Sequence, residues 1–470
     1  MYIHTVVQGD SIWQIAQRYG SDANQIILVN GLDDPNVLVV GQSIVVPDPQ
    51  REYVVQPGDN LWEIAQRYGV TAEDLGAYNS IYNLGMIFVG DLLVIPNVIH
   101  TVQPGETLWQ IAANYGTTIN QIVQVNNLAD PSMLFPGQQL RIPVSDRPVK
   151  EVNAYTTRTD QEGAEEVAVL GRNLTYLSPF MYSMREDGSL TNLQDELLIQ
   201  VAWANNVHPL LVLTNFQNNT FDSDLAAAVL RNPAIQERLL DNILQVIRQK
   251  GYTGLNIDFE YVYPEDRENY NNFLRRAAAR LHPEGFTLST ALAPKESADQ
   301  QGLLYEAHDY AAHGEITDFV VLMTYEWGWA GGEPWAIAPI NKVRDVLDYA
   351  VTVIPPEKIL MGAPLYGRDW NIPWVEGTTA RTVGPREAVE LAWQYGAAIE
   401  YDETYQSPFF RYWDETGQQH EVWFEDARSM QAKYETVKEY GLRGVSYWSL
   451  GYEFPENWAV LQDHFRVRKL

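Results

Sequence analysis

The sequence predicts an α/β protein whose main part is a (β/α)8 barrel with a small α+β insertion, preceded by three βααβ modules. Two observations lead to this fold class. A motif of about fifty residues occurs three times in the first third of the chain, and eight short apolar runs alternate with amphipathic segments in the remainder. Strand-like runs that alternate with helical patterns are typical of parallel sheets, and eight such strands close a barrel.

The repeat is defined by landmarks that keep their spacing in all three copies. Each copy contains a Trp, a Tyr-Gly pair, an Asn and a closing Pro. These lie at Trp13, Tyr19-Gly20, Asn30 and Pro47, at Trp62, Tyr68-Gly69, Asn79 and Pro96, and at Trp109, Tyr115-Gly116, Asn126 and Pro143. We place the three modules at residues 2–47, 52–96 and 99–143.

The first copy illustrates the local structure that we expect in each module. The β-branched run at 5–7 predicts a strand, and Asp10-Ser11 predicts a helix N-cap. Gly20 ends this helix, and a second helix at 24–29 and a strand at 43–46 complete the βααβ order. We expect the repeated tryptophans to pack within the core of the module rather than to serve as sugar platforms.

The repeats resemble LysM domains, which bind N-acetylglucosamine-containing glycans such as peptidoglycan and chitin. The resemblance covers residues 2–143 and includes the Gly-Asp or Gly-Glu turn, the first helix, the Asn and the terminal Ile/Val-Pro. It implies glycan contacts at the first turn of each copy, at Asp10 and Ser11, Asp59 and Asn60, and Glu106 and Thr107. The second copy departs from the pattern at 81–87, so its groove is expected to differ. The alternative is that the modules only space or solubilise the chain.

The chain changes character after a polar linker at 144–148. Eight apolar runs predict barrel strands at 149–155, 174–179, 210–214, 254–260, 286–291, 319–325, 359–364 and 444–448. The interval between the last two strands is too long for one helix and is rich in aromatic residues. We therefore place a barrel domain at 149–470, with an inserted α+β lobe at about 368–442.

Two carboxylates mark the end of the fourth strand. Because strand side chains alternate, Asn256, Asp258 and Glu260 are expected to point into the barrel. Catalytic residues of such barrels lie at the carboxyl ends of the strands. Two inward carboxylates repel each other, so one should bind its proton unusually tightly, as a general acid requires. The alternative is that both form buried ion pairs with Arg or Lys from neighbouring strands.

The wider sequence resembles family 18 glycoside hydrolases. Residues 253–260 match the signature Asp-Gly-x-Asp-x-Asp-x-Glu except that Thr253 and Asn256 replace two of its Asp residues. Residues 323–326 resemble the Met-x-Tyr-Asp motif with Glu326 at the last position, and residues 362–368 resemble the seventh-strand motif. Trp448 follows the eighth strand, where the family places the aromatic floor of the cleaved sugar's subsite.

This resemblance implies a role for each matching residue. Glu260 is the general acid/base, Asp258 orients the substrate's acetamido group, and Tyr325 hydrogen-bonds the carbonyl oxygen of that group. The substrate's own acetamido oxygen replaces a protein nucleophile, and neither a metal nor a cofactor is needed. Further substrate contacts are expected at Asn256, Trp448, Glu326, Tyr366 and Arg368.

The combination of LysM repeats with this barrel resembles the spore-cortex-lytic N-acetylglucosaminidases of spore-forming bacteria. It implies cleavage of cortex peptidoglycan at N-acetylglucosaminyl bonds and a location at the boundary of spore coat and cortex. Residues 1–5 have neither a basic nor an apolar region, so no signal peptide is expected. Two alternatives stay open: a chitinase or endo-N-acetylglucosaminidase acting on other glycans, and a non-catalytic glycan-binding coat protein.

Composition excludes several other classes of protein. The chain has 61 acidic and 32 basic residues, a formal net charge of −29, and no basic cluster that would suit nucleic acid. It has no apolar run long enough for a membrane span and no Cys for disulfides. Its eight His lack metal-ligand spacing. We expect a monomer that holds neutral N-acetyl sugars by hydrogen bonds and stacking.

Overall fold

The computed structural model describes residues 1–115, 117–143 and 147–470. Gly116 of the third Tyr-Gly pair and positions 144–146 of the predicted linker lie outside the described residues. The chain divides into two compact units. One comprises Met1–Val149 with Pro455–Val467, and the other comprises Lys150–Phe454 with Arg468–Leu470.

All three repeats fold as strand, helix, helix and strand, as predicted. Their elements are Tyr2–Thr5, Ile12–Tyr19, Ala23–Val29 and Ser43–Val46, then Glu52–Val54, Leu61–Arg67, Ala72–Tyr78 and Leu92–Val94, then Asn97–Thr101, Leu108–Asn114, Ile119–Asn126 and Gln139–Pro143. The two strands of each module pair antiparallel. The predicted position of the first strand, at 5–7, is wrong, because the strand lies at Tyr2–Thr5. The chain enters the turn at Val7, whose N–H donates to the Asp10 carboxylate at 2.9 Å, so the strand ends at Thr5.

The landmarks of the repeat hold each module together. In the first copy, Ser11 caps the first helix and Gly20 ends it with a φ of 65°, a left-handed conformation that suits glycine. The side chain of Asn30 joins the second helix to the last strand, because it donates to Val45 O at 2.7 Å and accepts from Val45 N at 2.8 Å. The conserved spacing of the Asn therefore reflects a structural role.

The first unit also contains the helix Pro455–His464 near the end of the chain. Ser80, in the second repeat, donates from its hydroxyl to Val467 O at 2.8 Å. This part of the chain therefore packs with the repeats. None of the helices in the described residues is both long enough and apolar enough to cross a membrane.

The second unit is the predicted barrel of eight parallel strands. We label them β1 to β8, with the bounds Val149–Thr156, Tyr176–Pro179, His208–Thr214, Gly254–Asp258, Thr287–Leu292, Phe319–Leu322, Ile359–Pro364 and Gly444–Trp448. Each strand pairs with the next, and β8 pairs with β1, so the sheet is closed. β4 and β6 are shorter than predicted, which leaves Glu260 and Tyr325 in the segments just beyond the strand ends.

Helices and short elements fill the connections between the barrel strands. The α-helices are Gln161–Leu170, Glu196–Ala204, Ser223–Leu230, Pro233–Lys250, Arg267–Leu281, Tyr310–Ile316, Ile340–Ala350 and Ala427–Glu439. The 3-10 helices are Gly171–Asn173, Pro264–Asp266, His282–Glu284 and Pro356–Lys358, and the short strands are Tyr182–Ser183, Phe216–Gln217 and Thr220–Phe221. One more short strand, Arg466–Val467, follows the last helix of the first unit.

Successive side chains of β4 point alternately toward the surrounding helices and toward the interior of the barrel. Leu255, Ile257 and Phe259 are buried in a cluster with the surrounding helices. Asn256 and Asp258 have the opposite orientation and face the interior. The interior itself is filled by apolar and aromatic side chains: Tyr155, Tyr176, Leu210, Val212, Phe319, Val321 and Leu360.

The long interval after β7 forms an antiparallel five-stranded sheet with one helix. Its strands are Gly367–Ile372, Arg381–Val383, Glu400–Asp402, Ser407–Trp413 and Gln419–Trp423, and its helix is Pro385–Gln394. The first lobe strand pairs with the second and the last. We call this sheet and its helix the lobe.

Candidate active site

The two carboxylates predicted at the fourth strand lie together at its carboxyl end. Asp258 is the last residue of β4 and is buried, whereas Glu260 lies two residues beyond and is half-buried. Neither side chain forms a salt bridge among the described residues, so the alternative of buried Arg or Lys partners is not observed. The Oδ1 atom of Asp258 is buried and has no hydrogen-bond partner within the same residues.

Burial and mutual repulsion set the protonation of this pair. Burial raises the pKa of Asp258. The pKa of Glu260 is raised well above its ordinary value by burial and then by the charges of Asp258 and Glu326. A carboxyl group that keeps its proton near neutral pH can act as a general acid. The geometry therefore provides an acid at the mouth of the barrel.

Asn256 completes the row of inward residues on β4. Its side-chain oxygen accepts a hydrogen bond from the Tyr155 hydroxyl at 2.9 Å, and its Nδ2 donates to Ser289 Oγ at 2.9 Å. These two partners fix the orientation of the amide. Asn256 is buried beneath the mouth and links β1, β4 and β5.

Tyr325 stands in the segment after β6. Burial is the main cause that raises its pKa well above the usual range, so its hydroxyl stays protonated and can donate. The residue facing its ring is Gly362 on β7, where a Cβ atom would lie 2.7 Å from Tyr325 Cε1 and 2.5 Å from Leu322 O. Gly362 therefore provides the space that the Tyr325 ring occupies.

Trp448 ends β8 and forms one side of the mouth. Its ring meets Tyr155 at a centroid distance of 5.6 Å and Phe180 at 4.8 Å, both edge-on. These contacts hold the indole in place while the side chain keeps partial exposure. A fixed aromatic face of this kind is suited to the apolar face of a sugar ring.

Glu326, Tyr366 and Arg368 form a cluster of their own beside the carboxylates. The Tyr366 hydroxyl and Arg368 both donate to Glu326 Oε1, the latter at 2.8 Å. Glu326 has a φ of 68°, an uncommon conformation for a residue with a side chain. The structure thus places all three predicted residues together, with their polar groups bonded to one another.

Sequence reasoning missed two members of this site. Tyr155 and Ser289 both bond to Asn256, but neither lies in one of the sequence motifs of the site. Strand alternation was an available signal, since each lies on a predicted barrel strand. Which inward side chain reaches which partner depends on the stagger of strands far apart in sequence.

The residues predicted to contact glycan in the repeats build the first turn of each module. The carboxylates of Asp10, Asp59 and Glu106 each accept from the backbone N–H three residues earlier, at 2.6–2.9 Å. Ser11, Asn60 and Thr107 each accept from a backbone N–H as the N-cap of the first helix. These side chains shape the turn, and their contact with glycan stays a prediction.

The prediction that the repeated tryptophans lie in the module core is wrong. Trp13, Trp62 and Trp109 are 60%, 60% and 70% exposed. The first helix buries Ile12, Ile15 and Ala16, and the position after Ile12 is rotated about 100° around the helix, away from that stripe. Each module therefore presents one solvent-facing indole at the same position of its first helix.

Comparison with known proteins places this geometry in a family. The model of "Glycosyl hydrolases family 18" matches residues 214–453, and that of "LysM domain" matches residues 4–47, 53–96 and 100–143. The chain is 44% identical over 469 residues to a cortical fragment-lytic enzyme of Bacillus cereus, with 99% of each chain covered.

Two further comparisons agree with this match. A cortical fragment-lytic enzyme of Bacillus subtilis (strain 168) is 48% identical over 324 residues, which are 68% of this chain and 75% of that protein. The crystal structure of the Bacillus megaterium QM B1551 spore cortex-lytic enzyme SleL superimposes with a TM-score of 0.79 at 39% identity, covering 100% of this chain and 99% of the other. The protein is therefore a glycoside hydrolase that belongs to family 18 and carries three LysM domains in its first third.

Proposed function

We propose that this protein hydrolyses β-1,4 N-acetylglucosaminyl bonds of spore cortex peptidoglycan with retention of configuration, and that its LysM domains hold it on the polymer. The observation that carries the proposal is the pair Asp258 and Glu260 at the mouth of the barrel, without a cationic partner among the described residues and with raised pKa values. Cleavage of a glycosidic bond needs a protonated general acid and, beside it, a second carboxyl group.

The first chemical step breaks the glycosidic bond. The carbonyl oxygen of the substrate's 2-acetamido group attacks the anomeric carbon, while Glu260 gives its proton to the departing glycosidic oxygen. The products are the free sugar hydroxyl and a cyclic oxazolinium ion. In the second step, Glu260 removes a proton from water, which adds to the anomeric carbon and reopens the ring. Two inversions at that carbon give net retention.

Three further residues assist these steps. Asp258 accepts a hydrogen bond from the acetamido N–H and stabilises the cationic intermediate by its charge. The Tyr325 hydroxyl donates to the acetamido oxygen, and Trp448 stacks below the sugar ring. Asn256, Glu326, Tyr366 and Arg368 shape the wall of the same subsite, either directly or through their mutual hydrogen bonds.

The choice of cortex peptidoglycan rests on two separate parts of the chain. The barrel chemistry requires an N-acetyl sugar on the non-reducing side of the cleaved bond, and LysM domains bind polymers of the same sugar. Relatives named as cortical fragment-lytic enzymes match the barrel and the repeats together. The protein acts at the boundary of spore coat and cortex, as a monomer, without a nucleic acid or membrane partner.

Glycan binding by the repeats involves the first turn of each module. Asp10 and Ser11, Asp59 and Asn60, and Glu106 and Thr107 define these turns, and their backbone N–H and C=O groups face the polymer. Three weak sites on one chain raise retention by about 10²–10⁴ when they engage the same polymer.

The substitution Glu260→Gln tests the function directly. It removes the proton donor while keeping the shape of the side chain, so cleavage of cortex fragments, followed by mass spectrometry, should fall by at least about 10³-fold. Sedimentation with insoluble cortex should not change. Glu265→Gln, at an exposed residue on the same connection, is the matched control and should retain full activity. Loss of both properties in Glu260→Gln, or of neither, would overturn the assignment.

The alternative activities predict different products. A chitinase would release chitin oligosaccharides faster than muropeptides, and an endo-N-acetylglucosaminidase would cleave glycoprotein glycans. Parallel digestion of chitin oligosaccharides, cortex fragments and glycoprotein separates these outcomes. A non-catalytic coat protein would cleave none of the three, but such a binder would have no need for the acid at Glu260.

A further inference from the structure

The peptide segment that carries Glu260 is held by side chains at three successive carbonyl oxygens. His308 Nε2 donates to Phe259 O at 2.9 Å, and Asn215 Nδ2 donates to Glu260 O at 2.9 Å. The Ser223 hydroxyl donates to Tyr261 O at 2.5 Å. Asn215 and Ser223 lie in the connection after β3, and His308 lies in the connection after β5. All three carbonyls lie beyond the end of β4, where the sheet no longer provides partners.

Asn215 differs from the other two donors because it binds both polar groups of the Glu260 backbone. Besides the bond to Glu260 O, its Oδ1 accepts from Glu260 N at 3.0 Å. The last paired residues of β3 and β4 are Thr214 and Asp258. A carboxamide has the same donor and acceptor as a peptide group. The Asn215 side chain therefore continues the hydrogen bonding between β3 and β4 beyond the last paired residues of the two strands.

Asn215 is itself held rigidly. It is fully buried, its Nδ2 also donates to Asp222 O at 3.0 Å, and its own carbonyl accepts from Asp222 N at 2.9 Å. The chain then turns sharply after Glu260, because Tyr261 has a φ of 53°. A buried backbone pair without partners is costly, so loss of Asn215 would let this turn relax and move the Cα of Glu260.

We propose that Asn215 is a positioning residue that fixes the Glu260 backbone, so that the carboxyl proton is aligned with the glycosidic oxygen. The inference rests on the proposed role of Glu260 as general acid. Asn215 acts through Glu260 and does not itself touch the substrate. A displacement of about 1 Å at a catalytic group can lower the rate about 100-fold.

Substrates with different leaving groups distinguish a positioning role of Asn215 from a merely structural role. A sugar leaving group needs protonation by Glu260, whereas a 4-nitrophenyl group departs readily without it. In Asn215→Leu, which lacks both donor and acceptor, we expect kcat on an N-acetylglucosamine oligomer to fall by about 10–100-fold. On the matching 4-nitrophenyl glycoside, we expect kcat to fall less than about threefold, with KM nearly unchanged on both substrates.

The ratio of the two kcat values is independent of how much of the preparation is folded, because both are measured on the same sample. Asn215→Asp is the second variant. It keeps the size and the acceptor but loses the donor, and it should shift the ratio in the same direction. Asn242→Leu removes a side-chain bond to Gly188 O elsewhere in the barrel and should leave the ratio at the wild-type value.

The outcomes separate this inference from the proposed function. Glu260→Gln must itself change the ratio, and if it does not, the assignment of the general acid fails. If Glu260→Gln changes the ratio while both Asn215 variants lower the two rates equally or not at all, only the positioning role of Asn215 is overturned.

Discussion

Tyr155 donates its hydroxyl proton to the side-chain oxygen of Asn256 at 2.9 Å, across the interior of the barrel from β1 to β4. The bond fixes which end of the amide faces Tyr155 and leaves the NH₂ group for Ser289. Asn256 occupies the position of the second Asp in the family 18 signature, but it adds no charge next to Asp258.

Asn256→Asp tests the consequence of that missing charge. A third carboxylate in the row would strengthen the repulsion, so the pKa of Glu260 should rise further. The acid would then stay protonated to higher pH, and the alkaline limb of the kcat profile should move up by about one pH unit. Asn371→Asp, an exposed position in the lobe, should leave the limb in place. If the alkaline limb of the kcat profile does not move in Asn256→Asp, the new carboxyl group does not raise the pKa of Glu260, and the prediction is contradicted.

Glu326→Gln should have the opposite effect. The charge of Glu326 contributes to the raised pKa of Glu260, and glutamine keeps an acceptor for Tyr366 and Arg368 while removing that charge. The pKa of Glu260 should therefore fall, and the alkaline limb should move to lower pH by about 0.5–1 unit. The measurement is again kcat against pH, with Glu333→Gln in the following loop as the control. A shift to higher pH would contradict this electrostatic account.

The exposed tryptophans of the repeats should contribute to retention on insoluble glycan. Replacement of Trp13, Trp62 and Trp109 by Ala removes three aromatic faces but little of the core, so stability should change by only about 0.5 kcal/mol per site. We expect about tenfold weaker sedimentation with cortex, with hydrolysis of soluble oligosaccharides unchanged. The exposed Trp393 of the lobe is the control. Equal sedimentation of the triple variant and the wild type would exclude the indoles from binding.

His308 should make the barrel less stable in acid. Burial lowers the pKa of His308 to about 4, and its Nδ1 accepts from Ala293 N while its Nε2 donates to Phe259 O, so the folded state holds the neutral ring. The unfolded chain takes up a proton below about pH 6.5. Stability should therefore fall as the pH falls from about 6.5 to about 4, by about 3 kcal/mol from this group.

His308→Gln isolates that contribution, because glutamine can donate and accept but does not titrate. In urea unfolding followed by tryptophan fluorescence, the variant should lose less stability than the wild type between pH 6.5 and 4.5. The exposed His282→Gln should behave like the wild type. Parallel curves for His308→Gln and the wild type would contradict the prediction.

Local patterns were sufficient to predict the architecture. Short apolar runs separated by amphipathic helical segments identified all eight barrel strands. Each strand is buried on both faces, so its sequence is a nearly continuous apolar stretch. The spacing of Asn30, Asn79 and Asn126 marked the repeats, because each Asn joins a helix to a strand within one module. Alternation also placed Asp258 on the interior face of β4.

Contacts between distant segments were beyond the reach of sequence patterns. Asn215 and Glu260 are 45 positions apart and meet only because β3 and β4 end at the same level. The bonds from Tyr366 and Arg368 to Glu326 join segments after β6 and β7 for the same reason. The tryptophans were misplaced because an aromatic residue next to an apolar stripe suggests burial, whereas helix geometry decides which face it occupies.

The first strand of the lobe begins at Gly367, separated from the end of β7 only by Leu365 and Tyr366. Arg368, in that strand, is tied to Glu326 after β6. Movement of the lobe against the barrel would therefore have to bend the chain at Leu365 and Tyr366 and break this ion pair. An enzyme with a mobile lid waits for closure before each turnover, but here we expect no such delay. A rigid cleft would bind glycan segments that already have the shape it accepts.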